Sequence, residues 1–240
     1  MNIAAIIQTR MTSTRLPGKV MMKINNKSVI DHVFDRAKMS KLLSNCILAT
    51  TTNSTDDILV EWAIKNNIDY YRGSEHDVLD RFYQTAKYFK VDVIVRVTSD
   101  CPLLSPPVVD KVITTFLESE CDYASNVHPP TYPDGLDVEV FSFECLEKAW
   151  LSASKESERE HVTPYMYTSG KFKLKNVKGE EDYSKFRFTI DRIEDLEFLN
   201  TIVSLCTSEK NLENLIQVVK NNTDILKINH HIARNENLKL

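Results

Sequence analysis

The loop at residues 9–19, TRMTSTRLPGK, places three cations in a short stretch of a chain whose formal net charge is −4. The cations are Arg10, Arg15 and Lys19, and the loop opens on the small residue Thr9. A guanidinium pairs with phosphate oxygens, an ammonium adds a point charge, and small residues leave backbone N–H groups open to an anion. The glycine spacing of a Walker A or dinucleotide-binding loop is absent. The pattern predicts a triphosphate site of another kind, and the alternative is a solvated basic loop.

Two aspartates follow predicted strands elsewhere in the chain. Asp100 comes after the apolar run 93–97, and Asp191 comes after the run 186–190. Attack on the α-phosphorus of a nucleoside triphosphate displaces pyrophosphate, and Mg²⁺ held by one or two carboxylates neutralises that charge. We therefore expect Asp100 and Asp191 to hold Mg²⁺ together. The alternative for Asp191 is capping of the helix predicted directly after it.

The elements that must position these residues alternate along the first 120 residues. Each short, apolar, β-branched run is followed by a segment of helical periodicity, and the runs lie at 3–7, 46–50, 68–71 and 93–97. Four strand–helix units predict an α/β fold with a mostly parallel, Rossmann-like sheet covered by helices on both faces. Ligands of such sheets bind at the carboxyl ends of the strands, where the loop 9–19 and Asp100 lie.

Residues 122–178 break this alternation. They include HPPTYPDG, which holds three of the eight prolines, a short strand-like run at 137–141 and an alternating run at 172–177 that is typical of an edge strand. The run 186–190 is then expected to return to the main sheet. Because no repeat or flexible linker divides the chain, we predict one domain over residues 1–240 with 122–178 as an inserted segment.

The composition excludes several classes of protein. With 240 residues, 42% hydrophobic and 27% charged, the chain is typical of a globular domain and not of a disordered or fibrous protein. No run approaches the ~18 apolar residues of a membrane-spanning helix, and the acidic balance argues against general nucleic-acid binding. Five scattered cysteines and the lack of a signal peptide predict reduced thiols and a cytoplasmic location.

The first loop resembles the signature loop of the cytidylyltransferases that make CMP-activated sugars. These include the 3-deoxy-manno-octulosonate and acylneuraminate cytidylyltransferases, and the resemblance is strongest to the spore coat polysaccharide biosynthesis branch. Five further segments resemble the family in the same order, and together they span nearly 200 of the 240 residues. They are RGSEHDVLDRF at 72–82, VRVTSDCPLL at 95–104, GLDVEVFS at 135–142, REHVTPY at 159–165 and FTIDRIEDLEFL at 188–199.

The resemblance implies a nucleotide-diphospho-sugar transferase fold, which is glycosyltransferase-A-like, and a CTP-dependent reaction. It implies metal binding by Asp100 and Asp191, although Arg192 stands where the family more often has threonine. The dimers that the family forms predict a homodimer, and they favour a role for segment 122–178 in acceptor binding and dimer contact. The residues implied to bind the phosphates are Arg10, Ser13, Arg15 and Lys19.

This fold commonly places a pyrimidine base near the loop 72–77, so Gly73, Ser74 and Asp77 are predicted to bind the nucleotide. Asp77 is equally suited to cap the helix that follows. Arg81, one turn later, is expected to be solvated.

Four residues are predicted to bind the acceptor. Asp137 and Glu139 share one face of a short strand, where they suit sugar hydroxyls or a second metal. Arg159 and His161 suit an acidic acceptor. The alternatives are ordinary strand-edge polarity for the first pair and a structural role for the histidine.

We predict a Mg²⁺-dependent cytidylyltransferase in which a hydroxyl of a sugar, sugar acid or sugar-like acceptor attacks CTP and releases pyrophosphate. The predicted catalytic residues are Arg10, Lys19 and Asp100. The sequence does not identify a general base. The product would serve the biosynthesis of surface polysaccharide or glycoconjugate. The alternatives are a glycosyltransferase that consumes a nucleotide sugar and a nucleotide-binding subunit without turnover.

Overall fold

A mixed sheet organises residues 1–234, the part of the chain that the computed structural model describes; the end of the predicted domain 1–240 lies outside it. The strands are β1 (Ile3–Gln8), β2 (Lys23–Ile24), β3 (Lys27–Ser28), β4 (Asn45–Thr51), β5 (Asp69–Gly73), β6 (Val93–Thr98), β7 (Tyr123–Ser125), β8 (Glu139–Ser142) and β9 (Leu174–Asn176). Seven of them form one sheet in the order β5-β4-β1-β6-β8-β7-β9. Only β8 runs antiparallel to its neighbours, so the predicted α/β class and mostly parallel sheet are confirmed.

Helices cover both faces of this sheet. They are α1 (Val29–Ala37), α2 (Asp57–Lys65), α3 (Val78–Tyr88), α4 (Pro106–Glu118), α5 (Phe143–Ser152), α6 (Glu156–His161), α7 (Pro164–Thr168), α8 (Ile193–Leu205) and α9 (Leu212–Asn221). The alternation of β1 shows the two layers, because Ala5 and Ile7 pack with α1, α2, α4, α8 and α9. Ala4 and Ile6 point to the other face, where α3, α5 and α7 pack. None of these helices, within the described part of the chain, is long and apolar enough to cross a membrane.

The segment 122–178 contributes β7, β8 and β9 to the main sheet. The alternating run at 172–177 forms β9 at the edge of the sheet, as its pattern predicts. The role of this segment in acceptor binding and dimer contact stays a prediction.

The run 186–190 does not form a strand of the sheet, so this prediction was wrong. Within the described residues its β-type pairing is one isolated bridge between Asp134 and Arg187, and β8 occupies the edge of β6 beyond β1. Gly135 permits the contact, because a Cβ atom there would lie 2.5 Å from the carbonyl carbon of Phe188. The segment is instead held against the loop after β6, where the Ile190 N–H donates to the Asp100 carbonyl at 3.0 Å.

Candidate active site

A cavity of about 840 Å³ lies at the carboxyl ends of β1 and β6. The loop 9–19 lines one part of it, which we call the basic wall. The acidic wall consists of Asp134, Asp137 and Glu139. Of the predicted site residues, the cavity is lined by Thr9, Arg10, Ser13, Arg15, Lys19, Asp100, Asp137, Glu139, His161 and Asp191.

Lys19 joins the loop to both predicted metal-binding aspartates. Its Nζ donates to Oδ2 of Asp100 at 2.7 Å, to Oδ1 of Asp191 at 3.0 Å and to the Ile190 carbonyl at 2.6 Å. Burial would lower the pKa of Lys19, but the two carboxylates outweigh it and hold this pKa above its ordinary value. Burial would likewise raise the pKa of Asp100, and Lys19 holds it below its ordinary value. Lys19 and Asp100 are therefore both charged at neutral pH.

Asp191 is surrounded by cations. Besides Lys19, its carboxylate binds Arg15 at 2.5 Å and Arg187 at 2.9 Å. Burial would raise the pKa of Asp191, yet Lys19 and Arg15 hold it well below its usual range. The capping alternative for Asp191 was wrong, because the N-cap residue of α8 is Arg192. The Asp195 carboxylate accepts the backbone N–H groups of Asp191 and Arg192, at 2.9 and 3.0 Å.

Arg187 connects the acidic wall to Asp191, and the sequence reasoning missed it. Its guanidinium donates to Asp134 at 2.7 Å, to Asp195 at 2.8 Å and to Asp191 at 2.9 Å. The available signal was a charged residue between two phenylalanines in the apolar–polar alternation FRFTI. Because a buried guanidinium requires carboxylate partners, that position predicts an ionic network beneath the site.

Each carboxylate of the acidic wall pairs with an arginine, and Asp134 pairs with Arg187. Glu139 pairs with Arg96 and accepts the Tyr123 hydroxyl at 2.5 Å. Asp137 pairs with Arg234, whose guanidinium also donates to the Tyr132 carbonyl at 3.2 Å. Burial raises the pKa of Asp137 to about 7 in spite of Arg234.

Several predicted site residues lie outside the cavity lining. Gly73, Ser74, Asp77 and Arg159 are not part of the lining within residues 1–234. Asp77 caps α3 by accepting the Asp80 N–H at 2.9 Å, as the alternative interpretation predicted, and it also binds Arg159 at 2.7 Å. Direct contacts of these residues with a nucleotide or an acceptor stay predictions. His161 does line the cavity, and burial lowers its pKa, so its ring is neutral at neutral pH.

The expectation that Arg81 is solvated was wrong. The residue is 2% exposed and lines the cavity. Its Nη1 donates to the Ser74 carbonyl at 2.7 Å. The helical periodicity of α3 puts Arg81 in register with the buried residues Val78 and Phe82, and that register was the missed signal.

The donor set at the cavity fits Mg²⁺ that is bound jointly with a substrate. Asp100 and Asp191 reach one common ammonium group, so their carboxylates face each other. No cluster of three or more metal-ligating side chains is assembled within the described chain. Mg²⁺ usually takes one or two carboxylates and completes its shell with water and substrate phosphates, so two aspartates suffice.

Comparison with known proteins identifies the family. The protein-family model for cytidylyltransferases matches residues 4–232 of this chain. The chain belongs to the cytidylyltransferase family. It is 37% identical over 238 residues to protein MJ1063 of Methanocaldococcus jannaschii, covering 98% of this chain and 97% of that one. It is 32% identical over 209 residues to the spore coat polysaccharide biosynthesis protein SpsF of Bacillus subtilis, covering 84% and 86%.

Solved structures share the fold of this cytidylyltransferase. A cytidylyltransferase from Leptospira borgpetersenii superposes with a TM-score of 0.91 at 36% identity, covering 98% of this chain and all of that one. A CMP:2-keto-3-deoxy-manno-octonic acid synthetase, solved with CTP, superposes at 0.66 with 14% identity, covering 85% and 99%. The predicted family and fold are therefore confirmed.

Proposed function

We propose that this cytidylyltransferase transfers CMP from CTP to a hydroxyl of a sugar or sugar-like acceptor and releases pyrophosphate. The observation that carries the proposal is that Lys19 forms ion pairs with both Asp100 and Asp191. These pairs place the cationic loop beside the two carboxylates inside the cavity. The name of the relative SpsF, a polysaccharide biosynthesis protein, supports a sugar acceptor. We retain the predictions of a cytoplasmic homodimer and of a role in surface polysaccharide or glycoconjugate biosynthesis.

The basic wall supplies charge for the triphosphate. Arg10, Arg15 and Lys19 line the cavity together with Thr9, Ser13 and Thr14 of the same loop. As the bond from the α-phosphorus to the leaving oxygen breaks, negative charge grows on the pyrophosphate, and fixed cations stabilise it without reorganisation. Mg²⁺ held by Asp100 and Asp191 would add positive charge at the same phosphates.

The acidic wall is suited to orient the acceptor. Carboxylate oxygens of Asp134, Asp137 and Glu139 accept hydrogen bonds from hydroxyl groups. Their arginine partners hold each carboxylate in one position. A hydroxyl fixed in line with the α-phosphorus gains the rate advantage of orientation, which is the main contribution that these residues offer.

Pyrophosphate release tests the proposal. The protein is incubated with Mg²⁺, one of the four ribonucleoside triphosphates, and a panel of neutral sugars, amino sugars, sugar keto-acids and polyols. We expect release with CTP and one acceptor class, and none without an acceptor. Transfer from a nucleotide sugar, without pyrophosphate release from any triphosphate, would support the glycosyltransferase alternative. CTP binding without turnover on the panel would favour the non-catalytic alternative.

A further inference from the structure

Asp56 is a buried carboxylate that the proposed reaction does not use. Its side chain is shielded from water, and it forms no ion pair within residues 1–234, whereas its neighbour Asp57 pairs with Arg72 at 2.7 Å. A buried carboxylate with no cation in contact is unfavourable unless hydrogen-bond donors satisfy it. The donors around Asp56 therefore show what this residue does.

Asp56 occupies the N-cap position of α2, but its side chain does not cap that helix. An aspartate at this position normally accepts a backbone N–H from the first helical turn. Instead, Oδ2 accepts from the hydroxyl groups of Thr50 and Thr51 at 3.1 and 2.5 Å and from the Thr51 N–H at 3.2 Å. Oδ1 accepts the N–H of Met11 at 2.8 Å. Of these four bonds, the one to Met11 alone leaves the end of β4, and it reaches the loop 9–19.

Met11 closes the base of this loop with both of its backbone groups. The buried carboxylate holds its N–H, and its carbonyl accepts the Gly18 N–H at 2.9 Å. Between these two points, the N–H groups of residues 12–16 donate to no acceptor in the part of the chain that the structure describes. Residues 13–15 of this run line the cavity. Successive backbone N–H groups without acceptors suit phosphate oxygens.

Glu75, on the loop after β5, makes a second contact with the same loop. Its carboxylate accepts the Thr12 hydroxyl at 2.5 Å and lies 3.6 Å from the guanidinium of Arg10. Its side chain is 20% exposed, so water competes for these contacts, whereas Asp56 has no exposure. Loss of the Asp56 bond should therefore loosen the loop, with Glu75 still holding one of its residues.

We propose that Asp56 is a positioning residue for the triphosphate, which acts by fixing the Met11 N–H and with it the base of the loop 9–19. This inference rests on the proposed use of CTP. Asp56 is not part of the cavity lining within residues 1–234, so it acts through the loop and not by contact with the nucleotide. A loop that is ordered before the ligand arrives binds it more tightly, because less conformational entropy is lost on binding.

The variant Asp56→Asn tests the inference. An amide has one acceptor oxygen where the carboxylate has two, so its NH2 group must face the N–H of either Met11 or Thr51. The matched control is Asp110→Asn, because Asp110 also joins distant segments by accepting the Ser40 hydroxyl and the Lys41 N–H, and it does not line the cavity. CTP affinity is measured by calorimetry. The rate of tryptic cleavage after Arg10 and Arg15, without nucleotide, reports on the order of the loop.

We expect Asp56→Asn to lose roughly tenfold in CTP affinity and to be cleaved in the loop at least about tenfold faster than the wild type. Asp110→Asn should match the wild type in both measurements, even if its melting temperature falls. An Asp56→Asn variant that loses thermal stability but keeps the wild-type affinity and cleavage rate would show that Asp56 only stabilises the fold, and would overturn the inference.

Amide hydrogen exchange of the wild type decides the matter if Asp56→Asn does not fold. The Met11 N–H should exchange at least roughly 100-fold more slowly than the N–H groups of residues 12–16, since it alone of this run is held by a buried acceptor. Equal exchange rates would overturn the inference. Cleavage and exchange are both measured without nucleotide, so they test the anchoring of the loop separately from the proposed function, which a wild type that does not bind CTP would refute.

Discussion

Lys19 is the residue at which the basic loop and the two carboxylates meet. Its side chain is 10% exposed, so its charge depends on the oxygens of Asp100, Asp191 and Ile190 around it. The sequence predicted a cation here because of the phosphates that the loop would bind. It did not predict the contacts with both aspartates, because they depend on segments more than 80 residues apart folding together.

Replacing Lys19 should weaken nucleotide binding. Lys19→Met removes a charged donor from the basic wall, and such a contact contributes about 1.5–3 kcal/mol. We expect CTP affinity, measured by calorimetry, to fall by at least tenfold. The control is Lys23→Met, since Lys23 is exposed and does not line the cavity. Equal affinities in the two variants would contradict a phosphate-binding role for Lys19.

Asp137 should make the protein less stable as the pH rises, whereas an ordinary paired carboxylate makes a protein more stable as the pH rises. Its pKa rises from near 3.8 in the unfolded chain to about 7 in the folded protein. Between these values the folded state binds more protons, so the free energy of unfolding falls as the pH rises from about 4 to 7.

The variant Asp137→Asn removes this contribution. Urea unfolding at pH 5 and pH 7.5 should show the variant gaining stability relative to the wild type at the higher pH. Glu139→Gln is the control, because Arg96 outweighs burial and lowers the pKa of Glu139. That carboxylate stabilises the fold above its unfolded pKa, and the contribution is lost as the pH falls. The same pH dependence in both variants would refute the assignment for Asp137.

At the scale of elements, the segment before α8 shows where sequence patterns stop being sufficient. Its apolar alternation is real, since Phe186, Phe188 and Ile190 are all buried. Alternation alone does not determine whether a segment finds a pairing edge, and here β8 already occupies the position beside β6. The placement of Asp191 near Asp100 was nevertheless correct, because hydrogen bonds to the Asp100 carbonyl hold the segment there.

The chain end up to Arg234 is a second element that the sequence did not place. Asn229 is buried and donates to the Arg187 carbonyl and to Asp195, each at 3.2 Å. Ile232 lines the cavity, and Arg234 pairs with Asp137. The segment 229–234 is short and mostly polar and has no periodicity, so its sequence did not predict these contacts. They place the segment 229–234 beside the acidic wall.

Removing the Arg234 side chain should therefore affect the acceptor and not the nucleotide. An Asp137 without its arginine partner takes up a proton more readily, so it binds acceptor hydroxyl groups less well. With the acceptor found in the panel, we therefore expect Arg234→Met to raise the KM for the acceptor at least threefold. CTP affinity should stay within twofold of the wild type. The control is Lys227→Met, which removes only an exposed pair with Asp224. Loss of CTP affinity with an unchanged acceptor KM would contradict this division of the cavity.

At the scale of the whole molecule, the parallel half of the sheet followed from the alternation of strands and helices. The order of β7, β8 and β9 did not, because these strands have three or four residues each and pair across long separations. Local pattern carries little information about such short strands. The structure, and not the sequence pattern, establishes the order of these strands in the main sheet.

The predicted homodimer belongs to this scale as well. We expect light scattering after gel filtration to give twice the 27.6 kDa mass of the chain. If the segment 122–178 makes the contact, charge reversal at the exposed residues Lys173 and Lys175, at the β9 edge, should weaken the dimer. Reversal at Lys65, on α2, should not. A monomer at micromolar concentration would refute the prediction.

The central claim is that Asp100 and Asp191 act together on the triphosphate, and the initial rate of the Asp191→Asn variant tests it most directly. The measurement is pyrophosphate release at saturating CTP and acceptor, with the melting temperature recorded on the same preparation. We predict a rate at least 100-fold below the wild type in a variant that remains folded, and little further loss when Asp100→Asn is added, since residues that act as a unit are not additive. A folded variant that turns over at the wild-type rate would contradict the account.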